Sequence, residues 1–134
     1  MAKITDIEGI GPASAEKLSQ AGIRTVEGLL KACAAPSGRK KVAEASGLDE
    51  KQILRWTNMA DLFRIKGVAA QYAELLEAAG VDTIKELRNR NAENLHAKMK
   101  EINSEKKLVR QLPSVAQVER FVQDAKTLEP SVSY

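Results

Sequence analysis

The feature that most constrains this chain is an internal repeat. When the sequence is shifted by 58 positions, residues 7–29 (IEGIGPASAEKLSQAGIRTVEGL) align with residues 65–87 (IKGVAAQYAELLEAAGVDTIKEL). The copies share residues at positions that shape turns and cores, among them Gly9 and Gly67, Leu18 and Leu76, Gly22 and Gly80, and Thr25 and Thr83. Such a duplication predicts a single unit over residues 1–134 made of two similar halves, a first repeat over 1–62 and a second over 63–134.

A second pair of segments follows the same plan after a longer insert. The segment QILRWTNMADLF at 52–63 resembles QVERFVQDAKTL at 117–128, which places Trp56 opposite Phe121. Apolar residues recur in both segments at helical spacing, so each is predicted to be a helix with one face in the core. We therefore interpret Trp56 and Phe121 as anchors of the packing rather than as platforms on which bases stack.

Helix signals occur along the whole chain, whereas strand alternation is absent from the sequence. Pro12 suits the first position of a helix that Gly22 would end, and Gly80 would end its counterpart. Thr25 and Thr83 are expected to cap the next helices, with Thr83 and Glu86 forming a capping box. Further starts are predicted at Ser37, Asp49, Asn91 and Ser114. Because only 4% of the residues are aromatic, the core must consist of aliphatic side chains, and the predicted fold class is all-α.

The Gly-Ile-Gly-Pro turn at the start of the first copy is the main candidate for a binding site. Gly9 and Gly11 can both take positive φ, and the first amides of a helix have no partner within the helix. Those amides carry the positive end of the helix dipole, so an open glycine turn is a natural seat for a phosphate. The residues assigned to this seat are Gly9, Ile10, Gly11, Pro12, Ala13 and Ser14.

The alternation of apolar residue and glycine, followed by a helix closed by Ala-Gly-Ile, resembles the helix-hairpin-helix motif of DNA repair and replication proteins. That resemblance implies that hairpin amides hold backbone phosphates without reading sequence, often beside a monovalent cation. Most of the chain, from GRKKVAEASGLDE through EIN and LVRQLPS, resembles a family of small tandem helix-hairpin-helix proteins catalogued as a domain of unknown function. The resemblance implies a compact helical bundle of the SAM-like type and brings almost no assigned activity.

The two copies depart from that motif in different ways. In the first, Ala13 and Ser14 stand where DNA-binding hairpins commonly carry a basic residue, and Glu8 would repel a phosphate within a Debye length of about 8 Å. In the second, Lys66, Gly67, Val68 and Ala69 form the candidate site. Ala69 replaces the second glycine, which is expected to raise the cost of a positive-φ turn by about 1 kcal/mol. The first copy is predicted to have the better geometry and the second the better charge.

A basic cluster lies outside both turns, at a predicted helix start. Arg39, Lys40 and Lys41 occupy the end of a helix that is unfavourable for cations. Their position favours an interpretation in which they add surface charge for nucleic acid. The net charge of +3 is too small to argue for such a partner by itself.

Catalytic signals are missing from the sequence. The single histidine, His96, and the single cysteine, Cys33, belong to no recognisable nucleophilic or metal-binding pattern. We therefore expect a non-enzyme without cofactor or metal, with Cys33 buried as a small apolar residue. No apolar stretch approaches the roughly 20 residues that span a bilayer, so no membrane partner is expected and the predicted location is cytoplasmic.

Two functions of different class remain open at this point. The first is non-sequence-specific binding of nucleic acid, with DNA favoured, through the amides of both turns. The second is a protein-interaction or self-association module, in which the repeats only shape a helical scaffold and nucleic acid has no role. The motif resemblance places the first slightly ahead.

Overall fold

A computed structural model describes residues 3–134 of the chain. Over this range the regular secondary structure is helical apart from an isolated bridge between Lys3 and Thr25, which confirms the all-α class. A 3-10 turn at Ile4–Asp6 precedes the α-helices. The α-helices are α1 Pro12–Gln20, α2 Val26–Cys33, α3 Pro36–Ser46, α4 Glu50–Leu62, α5 Ala70–Ala78, α6 Ile84–Arg88, α7 Ala92–Lys106 and α8 Val115–Thr127.

The chain packs as two compact units. The first contains residues 3–61 together with Ser131–Tyr134, and the second contains Leu62–Pro130. The boundary lies one residue from the position expected between the repeats. The last four residues, assigned from sequence to the second half, pack with the first unit instead. The second unit is therefore inserted between two segments of the first.

The ends of α1 and α2 form as the local sequence predicts. Pro12 is the first residue of α1, and Gly22 follows the helix with a φ of +87°. The hydroxyl of Thr25 accepts a hydrogen bond of 2.9 Å from the amide of Gly28 and so caps α2. Gly38 permits close packing of α3 on α2, because a Cβ at that position would lie 2.0 Å from the carbonyl oxygen of Ala32.

The start of α3 differs from the prediction. Ala35 is the N-cap residue and Pro36 the first helical residue, so Ser37 lies inside the helix and does not cap it. Arg39, in the first turn of α3, points into the first unit rather than to the surface. Its side chain is only 4% exposed, and its guanidinium donates hydrogen bonds to the carbonyls of Cys33, Ala34 and Ser133.

The C-terminal segment, Ser131–Tyr134, is held by polar groups of the first unit. The amide of Ser131 donates to the buried carboxylate of Asp61 over 3.1 Å, and the Tyr134 hydroxyl donates to Asn58 over 2.8 Å. The Tyr134 ring also lies 5.9 Å from the Arg39 guanidinium carbon. The segment therefore supplies hydrogen-bond partners to buried polar groups. Burial of a polar group without a partner costs free energy.

In the second unit, side-chain caps again define the helix starts. Asn91 caps α7, and Ser114 forms a full capping box with Gln117 at α8. Thr83 caps α6 through the amide of Glu86, at 3.0 Å. The predicted box is only half formed, because the Glu86 carboxylate reaches Arg90 at 3.3 Å.

Cys33 lies in the interior of the first unit, as expected for a small apolar residue. Its side chain is fully buried. Burial raises the pKa of the thiol to about 11, while a hydrogen bond with Thr57 and the charge of Arg39 act in the opposite direction. A thiol with so high a pKa carries little thiolate at neutral pH and is a poor nucleophile.

Candidate anion-binding turns

The same backbone turn occurs in both units. We call residues 7–14 the first glycine turn and residues 65–72 the second glycine turn. The amide of Ile10 donates to Ile7 over 3.1 Å, and the equivalent bond from Val68 to Ile65 is 3.0 Å. Gly9 and Gly67 have φ values of +94° and +88°, so the first glycine of each copy occupies a conformation that favours glycine.

The second glycine of the first turn is not in a left-handed conformation. Gly11 has φ −87° and ψ −177°, and its counterpart Ala69 has φ −114° and ψ −171°. Both are extended residues that cap the following helix, and a Cβ on Gly11 would meet no atom within 4 Å. Gly11 therefore does not take the positive φ that glycine permits, and the expected backbone cost of Ala69 in the second turn is wrong, because an extended residue suits alanine.

The helix starts that follow these turns are open. Helices α2, α6, α7 and α8 each have a side-chain cap, whereas α1, α3 and α5 have none and carry no acidic residue in the first turn; of these three, only α1 and α5 follow a glycine turn. Within the described residues, no acceptor bonds the amides of Ala13 and Ser14, or the equivalent amides of Gln71 and Tyr72. These N–H groups are available for an anion.

One apolar side chain of each turn is buried in the core. Ile10 and Val68 are buried and fix the turns to the core.

The sequence predicts the second-copy site at Lys66 through Ala69, but the open amides lie slightly further along the chain, at Gln71 and Tyr72. The register of the repeat pairs these two residues with Ala13 and Ser14 and would have identified them.

Each turn also lies against an arginine and an aromatic ring from the fourth helix of its unit. A Cβ on Gly9 would lie 3.0 Å from the Arg55 guanidinium and 3.2 Å from Trp56 Nε1, while one on Gly67 would lie 3.2 Å from the Phe121 ring. Arg120 lines a cavity beside Gly67. The first turn therefore has a cation nearby, which the sequence analysis missed although Arg55 and Arg120 align.

Trp56 contributes one further polar group at the first turn. The indole is fully buried, and its Nε1 has no hydrogen-bond partner within residues 3–134. An unsatisfied buried donor is uncommon in folded proteins. Its position next to Gly9 places this N–H directly beneath the turn.

The predicted basic cluster, residues 39–41, is partly buried and partly exposed. Lys40 and Lys41 are exposed on α3, but Arg39 is committed to three carbonyl oxygens inside the first unit. The expectation that Arg39 adds surface charge is therefore wrong. Its position at a helix start reflects hydrogen bonding to backbone rather than recognition of a ligand.

From residue 3 to residue 134, no group of three His, Cys, Asp or Glu residues is arranged to hold a metal ion. In the same range, no helix combines the length and the apolar character needed to cross a membrane.

Comparison with known proteins identifies the family but no relative of known activity. A family model described as "Domain of unknown function (DUF4332)" matches residues 8–128, nearly the whole chain and both glycine turns. No curated protein and no solved structure matches the chain.

Proposed function

The chain belongs to the DUF4332 family, and from that premise we propose that it is a tandem helix-hairpin-helix protein that binds the phosphate backbone of nucleic acids without reading base sequence. In this proposal the protein is a binding module rather than an enzyme, acts in the cytoplasm and needs no cofactor. DNA is the favoured partner because the motif resembles those of DNA repair and replication proteins.

The observation that carries the proposal is the repeated turn itself. Both units present an exposed glycine with positive φ, an extended cap residue without a capping side chain, and first-turn amides without an acceptor. Four other helix starts are capped by Thr25, Thr83, Asn91 and Ser114, whereas α3, which follows no glycine turn, begins after Ala35 without a side-chain cap. Because the two helices left uncapped after a glycine turn are equivalent in the repeat, an external acceptor at both is the simplest account.

Charge supports the proposal at each turn. Hydrogen bonds between cationic groups and phosphate are stronger than neutral ones. Arg55 lies beside Gly9, and Lys66 and Arg120 lie beside Gly67. With so few cations, we expect a dissociation constant of about 10⁻⁴ to 10⁻⁶ M at physiological salt, falling steeply as salt is lowered.

A gain-of-charge variant tests the proposal at the first turn. Ala13 is exposed at the second helical position, where the helix-hairpin-helix motif commonly has a basic residue. Ala13→Lys should tighten binding several-fold and steepen the salt dependence by about one phosphate contact. Binding is measured by fluorescence anisotropy with labelled duplex and single-stranded DNA at about 50 and 200 mM salt.

The matched control is Ala45→Lys, which adds the same charge to an exposed position on α3. An equal effect of the two variants would show that only net charge matters and that the turn is not the site. Wild-type protein that does not bind at the lower salt, or binds with no dependence on salt, would contradict the proposal. In that case a concentration-independent dimer in solution would favour the assembly module instead.

A further inference from the structure

A cavity of about 300 Å³ lies beside the second glycine turn. Its walls come from the turn and from one face of α8: Lys66, Gly67, Gln117, Arg120, Phe121 and Asp124. This volume is at the lower end of the range for small-molecule sites, about 300–1,000 Å³. It is larger than a phosphate group alone requires.

One wall of the cavity is an aromatic residue of α8, Phe121. Trp56 and Phe121 align in the repeat, and each lies against the glycine of its turn. Phe121 is the smaller side chain, and its ring forms one wall of the cavity while remaining only 3% exposed. The ring also contacts Tyr72, with 6.3 Å between ring centroids, so it is a fixed apolar wall that exposes only a small edge to the cavity.

The polar groups of the cavity differ in sign. Lys66 and Arg120 are exposed and, within the described residues, form no ion pair. Gln117 Oε1 accepts from the Ser114 amide at 2.8 Å, which leaves its NH₂ group as a donor. Asp124 adds a half-buried carboxylate. A bare phosphate would gain from the two cations but would be repelled by Asp124.

A ligand that matches all of these groups has an anion at one end, a flat or apolar body, and a hydrogen-bond donor. We propose that the cavity holds one nucleotide of a single strand, with its phosphate between Lys66 and Arg120 and its sugar and base in the remaining space, where they cover the edge of Phe121 without stacking on its buried ring. Asp124 then accepts a hydrogen bond from a sugar hydroxyl or base amino group. This inference rests on the proposed function and makes it specific, because a stacked and paired nucleotide cannot enter the cavity.

The test compares one single strand with a duplex of the same sequence, by fluorescence anisotropy at low salt. Wild-type protein should prefer the single strand. Arg120→Ala should weaken single-strand binding about ten-fold, because one charge-assisted contact and the positioning of the nucleotide are lost. The matched control is Lys100→Ala, which removes one exposed charge from α7 and should weaken both substrates equally and slightly.

A second variant tests the cavity without changing charge. Phe121→Trp copies the residue of the first unit and fills the space, so the preference for a single strand should disappear while the salt dependence stays the same. Thermal unfolding checks that the variant is folded. In the unchanged chain, a short oligothymidylate should shift the NMR amide signals of Gly67, Gln117 and Arg120, whatever the stability of the variant.

The outcomes separate this inference from the proposed function. Salt-dependent binding that is equal for the single strand and the duplex, with Arg120→Ala no weaker than Lys100→Ala, would overturn the inference and leave backbone binding in place. The same holds if oligothymidylate shifts none of the cavity signals. Absence of binding to any nucleic acid at low salt would overturn both.

Discussion

Gly9 and Gly11 flank the same isoleucine, but only Gly9 depends on being glycine. Gly9 has a φ of +94° and lies against Arg55 and Trp56, whereas Gly11 is extended and faces open space. The cost of a side chain therefore differs sharply between two positions that look alike in the sequence. The second unit shows the same division, since Gly67 is retained and alanine occupies position 69.

Alanine substitutions should reveal this difference. Gly9→Ala is expected to lower the free energy of unfolding by about 2 kcal/mol, because a left-handed residue with a Cβ costs roughly 1–2 kcal/mol and the Cβ also crowds the arginine and the indole. Gly11→Ala should change it by less than about 0.5 kcal/mol, since the conformation suits any residue. Urea unfolding of both variants provides the measurement, and equal losses would contradict the assignment of the turn.

Cys33 predicts how the stability of the chain depends on pH. Burial raises the pKa of its thiol from 9.0 to about 11, so between these values the unfolded chain releases a proton that the folded chain keeps. Stability from this group is therefore fully present below pH 9 and is lost as pH rises towards 11, by on the order of 2–3 kcal/mol.

The comparison with Cys33→Ala isolates that effect. The variant is less stable at neutral pH because it leaves a small cavity, but its free energy of unfolding should fall less steeply between pH 9 and 11. Identical pH profiles for the two proteins would show that the thiol does not titrate differently on unfolding. A thiol reagent at pH 8 should react slowly with the native wild-type chain and rapidly after denaturation.

The helices depend on capping chemistry that the sequence carries locally. Thr25 and Thr83 occupy equivalent positions and cap α2 and α6 through amides three residues ahead, at 2.9 and 3.0 Å. Ser37, by contrast, lies inside α3 after Pro36 and caps nothing. The same residue class therefore contributes differently according to its place relative to the helix start.

Alanine substitutions should distinguish the two threonines that cap a helix from Ser37, which does not. Thr25→Ala and Thr83→Ala are each expected to lower the free energy of unfolding by about 1 kcal/mol. The losses should add in the double variant, because the two residues share no partner. Ser37→Ala is the matched control and should be within about 0.5 kcal/mol of wild type. Chemical denaturation compares all four variants with wild type, and a cost at Ser37 as large as at the threonines would contradict the assigned helix start.

Considered as a whole, the molecule is not two successive domains along the chain. Residues 62–130 form one unit, and the four residues after them return to the other. There they satisfy Arg39, Asn58 and Asp61. The stability of the first unit is therefore tied to a segment that lies at the opposite end of the sequence.

Substitutions that remove contacts of the C-terminal segment should destabilise the first unit more than the second. In the double variant Val132→Ala and Tyr134→Ala, buried methyl groups and the hydrogen bond to Asn58 are lost. We expect the free energy of unfolding of the first unit to fall by about 2 kcal/mol. Hydrogen exchange should become faster in α2 and α3 and change less in α5 to α8. Equal acceleration in both units would show that they unfold together and that the segment has no selective role.

The amino-acid sequence by itself determined the all-α class, the register of the repeat and most helix ends. Caps and turns depend on residues within about four positions of one another, so local spacing contains the information. Thr25, Thr83, Asn91 and Ser114 were identified in this way. Even here the sequence did not determine φ at Gly11, because glycine permits several conformations and its neighbours do not select among them.

Only the tertiary structure decided which arginine side chains are buried and which lie at the turns. Arg39 is directed inward by carbonyls that include one from Ser133, and Arg120 reaches the second glycine turn from a helix about 50 residues away. Such placements follow from packing between distant segments, which no local pattern encodes. The open amides and Lys66 could be expected from the sequence, whereas the two arginines and the cavity beside the turns depend on the fold.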